Sequence, residues 1–205
     1  MTPIAVLLSG RGSNFLAIHA AIGRGEIPAE IVLVASNLAD APGLAAAREL
    51  GIPAVAIPHQ GEPSRRAHEE KVIAAVRESG AAWVCLAGYM RLLSPAFVGS
   101  FRQRILNIHP SLLPAFPGLD AQGQALAHGV KVSGCTVHLV DEGLDSGPIV
   151  VQRTVPVLDG DTPGTLAARI LAEEHRAYPE ALRRLLAEPW SVTGRRLTFG
   201  GLTGA

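Results

Sequence analysis

The chain has 205 residues, with 18 basic and 18 acidic side chains and so no formal net charge; it suits one domain, and no global field draws it to nucleic acid or an anionic membrane, so any phosphate must be recognised locally. Apolar residues make up 48% of the chain, yet no charge-free run reaches the ~18–20 residues needed to span a bilayer. The opening PIAVLLS is too short for a signal core and has no basic segment before it, which implies a cytoplasmic protein.

In chain order, PIAVLLS (3–9) reads as a first strand and residues 14–23 as a helix entered through a glycine-containing turn. EIVLVAS (30–36) is a second strand, followed by a helix over LAAAREL ending at Gly51, and PAVAI (53–57) is a third. SRRAHEEKVIAAVRES gives the clearest helix, with Ser64 as cap and Gly80 just past its end. AAWVCLAG (81–88) and RILNIH (104–109) are the fourth and fifth strands. Strands alternating with helices imply βαβ units and a mainly parallel sheet.

After residue 110 a loop rich in proline and glycine runs to about 120, and QGQALAHG is a short helix. KVSGCTVHLV (131–140) and GPIVVQRTVPV (147–157) are long β-runs with no helix between them, so they pair antiparallel across DEGLDSG. TPGTLAARILAEEHRAYPEALRRLLAE supplies a long last helix, starting near Thr162 and expected to bend at Pro179. GRRLTFGGLTGA reads as a tail. The expected fold class is α/β, a Rossmann-like, mostly parallel twisted sheet with flanking helices and an antiparallel C-terminal strand pair.

Three stretches carry chemistry. In LLSGRGSNF (7–15), Gly10 and Gly12 let the backbone turn tightly, and the amides of Gly12, Ser13 and Asn14 fall at a helix N-terminus, where free N–H groups and the helix dipole favour a phosphate. Phe15 stands where a dinucleotide fingerprint needs its third glycine, and no Walker Gly-Lys follows, so a monophosphate fits best; a plain turn capped by Ser13 or Asn14 reads equally well. In LNIHPSLLPAFPG (106–118), Asn107 and His109 alternate on one strand face, and Pro110 ends the strand there. An amide and an imidazole aimed at one point can stabilise a developing oxyanion. In LVDEGLDSGPI (139–149), Asp141 and Glu142 suit a solvated turn, whereas Asp145 is placed to orient His109 or take a proton from an attacking amine. Cys85 and Cys135 lie in apolar runs without metal spacing and read as buried hydrophobes, and His138 in TVHLV reads as structural.

SGRGSN, LAGYMRLLSP, NIHPSLLP, PGLD and GCTVHLVDEGLDSGPIVVQ, in that order, resemble the phosphoribosylglycinamide formyltransferases of the folate-dependent formyltransferase family. The resemblance runs from the first strand to the EEH segment of the last helix. It implies formyl transfer from 10-formyltetrahydrofolate to the amine of glycinamide ribonucleotide in purine biosynthesis, without a metal, by a monomer or homodimer. It implies catalytic roles for Asn107, His109 and Asp145. Arg11, Gly12, Ser13, Asn14, Arg65 and Glu174 are assigned to the nucleotide, Arg65 as a phosphate contact. Met90, Arg91, Leu92 and Leu93 are assigned to the folate wall, and the backbone of Val140, Asp141 and Glu142 to the pterin. The implied organisation is one formyltransferase domain over 1–189, with a nucleotide-binding half over about 1–100, a folate and catalytic half over about 101–189, and a tail over 190–205.

One region departs. Ala115 stands where many members carry a basic residue, and Asp120 replaces a histidine thought to help hold the catalytic aspartate. An acid there is expected to share a proton with Asp145. The rivals are a formyltetrahydrofolate deformylase, a methionyl-tRNA formyltransferase and a non-catalytic nucleotide-binding module. The first usually adds an N-terminal domain, for which a motif beginning at residue 3 leaves no room. The second is expected to add an RNA-binding domain, and the third leaves Asn107, His109 and Asp145 unexplained.

Overall fold

The structure, a computed structural model, describes residues 1–200. It forms two compact units, Met1–Asn107 and the residues from Ile108 onward. The first unit holds β1 (Thr2–Leu8), α1 (Ser13–Gly23), β2 (Ala29–Ser36), α2 (Pro42–Glu49), β3 (Ala54–Ala56), α3 (Arg65–Glu78), β4 (Trp83–Leu86), α4 (Pro95–Ser100) and the start of β5 (Ile105–His109). Its strands stand in the order β3-β2-β1-β4-β5, each neighbouring pair parallel. Ile4 to Leu8 are fully buried, the continuous apolar run expected of a parallel strand covered on both faces. Strand order reverses between β1 and β4, and in such sheets ligands bind beyond the carboxyl ends at that switch point.

Local chemistry sets the helix ends. Ser64 caps α3 as expected, its hydroxyl accepting from Ala67 N–H at 3.1 Å. At α1 the cap is Gly12, in the left-handed region at φ 73°, rather than Ser13 or Asn14, and it makes no side-chain cap bond. α4 has no counterpart in the sequence reading; six residues are too few for a periodic signal. Its start is nonetheless written in Ser94-Pro95, with the Ser94 hydroxyl accepting from Phe97 N–H at 3.2 Å.

The second unit holds the end of β5, then α5 (Ala121–Ala127), β6 (Val132–Leu139), β7 (Ile149–Pro156), α6 (Pro163–Ala187), β8 (Trp190–Thr193) and β9 (Arg196–Phe199). The strands from β6 onward run in the order β6-β7-β9-β8. β6 and β7 pair antiparallel as expected, with an irregularity between Val137 and His138. α6 opens on a reciprocal Thr162–Thr165 cap and continues unbroken through Pro179.

Residues 190–199, expected as part of a tail, instead form an antiparallel hairpin. Trp190 Nε1 donates to the Leu185 carbonyl at 3.0 Å, and the Arg184 guanidinium lies 3.7 Å over the Phe199 ring. These contacts with α6 supply what the four-residue strands lack on their own. The rest of that expected tail, 201–205, lies outside the described residues. Among the described residues no helix is long and apolar enough to cross a membrane.

Candidate active site

At the carboxyl ends of β1 and β4, Ser9 N–H donates to the Gly88 carbonyl at 3.0 Å. The next residues turn sharply into α1. A Cβ on Gly12 would sit 3.0 Å from Leu8 Cδ2 on a backbone that L side chains avoid, so glycine is required there. Gly43 N–H donates to the Gly10 carbonyl at 3.0 Å, bracing the turn from α2. Gly12, Ser13 and Asn14 thus stand at a helix N-terminus whose N-cap residue, a glycine, supplies no side-chain cap, the arrangement that suits an anion. Arg11 is exposed beside them.

Arg65 opens α3. Its Nε donates to Glu69 at 3.1 Å and its Nη2 to the Leu92 carbonyl, which ties it to the Met90–Leu93 segment rather than to the Gly12–Asn14 turn. Glu69, nearly buried, also accepts from Ser94 N–H at 2.9 Å and from the Ser94 hydroxyl. This anchored segment exposes two large apolar side chains, Met90 at 67% and Leu92 at 65%. Burial pushes the preceding Tyr89 hydroxyl up to about 12, so it stays protonated at neutral pH.

In the second unit His109 is buried, with Nε2 donating to the Phe116 carbonyl at 2.8 Å. Nδ1 faces Asp145 Oδ2 at 3.4 Å. Oδ2 also accepts from Gly118 N–H at 2.8 Å, and Oδ1 lies 3.8 Å from His138 Nε2. Asp145 occupies the left-handed region at φ 47°, a strain that non-glycine residues carry mainly at functional positions. Two residues on, a Cβ at Gly147 would lie 1.8 Å from the Leu139 carbonyl oxygen, so the turn closes only with glycine. Asn107, half-buried, stands two residues before His109 on β5, as the alternation predicts.

His138, read as structural, is therefore part of the carboxylate's surroundings. Burial pushes its imidazole below the usual value, and its Nδ1 donates to the Leu139 carbonyl at 3.0 Å. Thr136 and Gln152 were also missed. Thr136 Oγ1 donates to the Ser111 carbonyl at 2.7 Å and accepts from Leu113 N–H at 3.0 Å. Gln152, directly opposite in the β6–β7 register, donates to the Leu113 carbonyl at 2.9 Å. Together they hold the loop that carries Phe116 and Gly118. The available signal was the alternation Thr136–Val137–His138, which puts two polar side chains near one end of an apolar strand.

Of the remaining expected residues, Glu174 is buried on α6, and its charge adds to the burial that pushes the Cys135 thiol up to about 12. Asp141 Oδ1 accepts from Gly143 N–H at 3.1 Å and from the Ser146 hydroxyl at 2.6 Å, shaping the turn with its side chain. Val140 is half-buried and Glu142 exposed beside it.

Residues 2–182 match the formyl transferase family. The chain belongs to this family. This formyl transferase is 42% identical to the phosphoribosylglycinamide formyltransferase of Escherichia coli (strain K12), over 94% of its own length and 88% of that protein's. It is 50% identical to the trifunctional purine biosynthetic protein adenosine-3 of Drosophila pseudoobscura pseudoobscura over 89% of its length, but spans only 14% of that much longer chain. The solved structure of glycinamide ribonucleotide transformylase 1 from Symbiobacterium toebii superposes with a TM-score of 0.95 at 51% identity, covering 97% of this chain and 94% of that one.

One departure of this formyl transferase resolves differently from expectation. Asp120 Oδ1 accepts from Gly123 N–H at 3.1 Å and caps α5 on the exposed side of the loop. Its carboxylate is taken up by its own helix, whereas Asp145 is met by Gly118 and two histidines. Ala115 is exposed, its carbonyl accepting from the Ser111 hydroxyl at 2.6 Å.

Proposed function

We propose that this chain transfers the formyl group of 10-formyltetrahydrofolate to the amine of glycinamide ribonucleotide. The observation that carries the reading is the proton arrangement at His109. A carbonyl oxygen only accepts, so the contact with Phe116 assigns a proton to Nε2. The proton that reaches a reacting oxygen is then the one on Nδ1, the nitrogen that faces Asp145.

In the reaction the amine nitrogen bonds to the formyl carbon and the formyl oxygen becomes an oxyanion. Asn107 and the Nδ1–H of cationic His109 donate to that oxygen, and losing one such donor costs about 10²–10³ in rate. Asp145 keeps the ring oriented and charged, and moves the amine proton, directly or through water, toward the folate nitrogen that leaves as the carbon–nitrogen bond breaks. Gly12, Ser13 and Asn14 take the nucleotide phosphate with Arg11 beside them, and Glu174 contacts the nucleotide.

The apolar surface of Met90 and Leu92 suits a flat folate ring system, with Arg91 and Leu93 completing that segment. The backbone of Val140, Asp141 and Glu142 meets the pterin. Arg65, bonded to Leu92, offers its guanidinium to an anionic part of the folate instead of the nucleotide phosphate.

Mixing the protein with 10-formyltetrahydrofolate, with and without glycinamide ribonucleotide, tests this. Deformylation that requires the amine and yields the formylated nucleotide is expected. Folate breakdown without the amine assigns a hydrolase instead, and no reaction assigns a binding module.

A further inference from the structure

Four residues of the first unit join in one polar chain that ends at Met90, and the other three lie outside the expected site. Ser9 and Asn37 directly follow β1 and β2, and His59 and Met90 lie in the turns after β3 and β4. Met90 N–H donates to Ser9 Oγ at 2.8 Å, and the Ser9 hydroxyl donates to Asn37 Oδ1. The Asn37 amide then has its Nδ2 on the far side, 3.2 Å from His59 Nδ1.

Read as donors and acceptors, the chain has one direction. The hydroxyl's single proton is spent on Asn37, so its lone pair is what meets Met90. Asn37 Nδ2 can only donate, so His59 Nδ1 accepts and the ring carries its proton on Nε2. The same Nδ1 lies 3.1 Å from the Asn37 main-chain carbonyl, a contact that would need a proton there. The two are alternatives, and the first completes the chain.

Asn37 is 4% and Ser9 9% exposed. Buried polar groups of this kind are costly unless fully paired, and an apolar pair would fill the same space without the constraint. What the pair achieves is local: it fixes the first amide of a segment whose exposed apolar side chains, Met90 and Leu92, cannot anchor it. The other end is fixed by Glu69, through Ser94 and through Arg65 to the Leu92 carbonyl. The segment is clamped by polar groups at both ends, with its apolar face left free.

We propose that Ser9 and Asn37, completed by His59, are positioning residues for the folate: through the Met90 amide they set the presentation of Met90–Leu93. This rests on the assignment of that segment to the folate. Because they act through another residue, their loss changes how the folate binds rather than the chemical step.

The test is calorimetric titration of 10-formyltetrahydrofolate, with separate KM values for folate and nucleotide, on wild type, Ser9→Ala, Ser9→Thr and His59→Ala. Ser9→Ala leaves the Met90 amide without its acceptor and is expected to weaken folate binding about tenfold. The nucleotide KM and kcat should stay within about twofold, and Ser9→Thr, which keeps the hydroxyl, should restore binding. His59→Ala, half-buried, should weaken folate binding less but in the same direction, and it serves as the readout if Ser9→Ala does not fold. Wild-type binding with equally tight binding by the folded variants overturns this proposal alone, as does an equal rise in both KM values. A wild type that binds no folate overturns the assignment of the segment, and this proposal with it.

Discussion

At the scale of single residues, the carboxylate of Asp145 does the most with the fewest contacts. One backbone amide and two imidazoles face it, and only the Gly118 amide is at full hydrogen-bond distance. Asp145→Asn keeps the shape and that amide contact but removes the charge opposite Nδ1. It is expected to fold normally, bind nucleotide and lose about 10²-fold or more in kcat, checked by steady-state kinetics beside a thermal melt. His138 makes a second prediction. Its folded-state pKa is lowered by burial, so the unfolded chain binds the extra proton first. Stability should therefore fall as pH drops through the usual histidine value near 6.5. His138→Gln should flatten that part of a denaturant-midpoint profile between about pH 7 and 5. Cys135, its thiol pushed up to about 12, should resist iodoacetamide at pH 8 in the folded protein and react once unfolded.

At the scale of elements, turns and caps decide where side chains point. Gly147→Ala would drive a methyl into the Leu139 carbonyl; the β6–β7 turn that carries Asp145 would have to open. The variant is expected to lose turnover together with stability, about 2–4 kcal/mol by denaturant titration. At the start of α6, Asp161 is gripped by both Arg169 nitrogens at 2.7 and 2.8 Å, and the Arg169 side chain holds its carboxyl far below the ordinary 3.8. A depressed carboxyl stabilises the fold above its unfolded pKa, and that contribution is lost as pH falls. Asp161→Asn should therefore cost stability at pH 7 and progressively less below about pH 4, as melts across that range would show.

At the scale of the whole molecule, balanced charge has a solution consequence. With a sequence pI near 7.1, the chain is expected to be least soluble near neutral pH and to gain solubility on either side, as a precipitation assay across pH would read. The same scale shows how much the sequence disclosed. The parallel strands and the β6–β7 pair were legible because long apolar runs carry their own period. α4 and the β8–β9 hairpin were not, being too short for a period and stabilised by neighbours such as Leu185 and Arg184. Within the site, the alternation of Asn107 with His109 and the glycine turn were readable because local backbone geometry dictates them. The bond from Arg65 to Leu92 was not readable, since the two lie 27 residues apart. The approach of His138 to Asp145 was missed because strand pairing and a tight turn bring them together.

The tether on His109 comes from a main-chain oxygen, and this shapes what mutagenesis can see. Replacing the Phe116 side chain leaves its carbonyl in place, so a scan of individual side chains would pass over the group that assigns the imidazole tautomer. An ester bond substituted for the amide after residue 116, which weakens that oxygen as an acceptor, would expose the dependence directly.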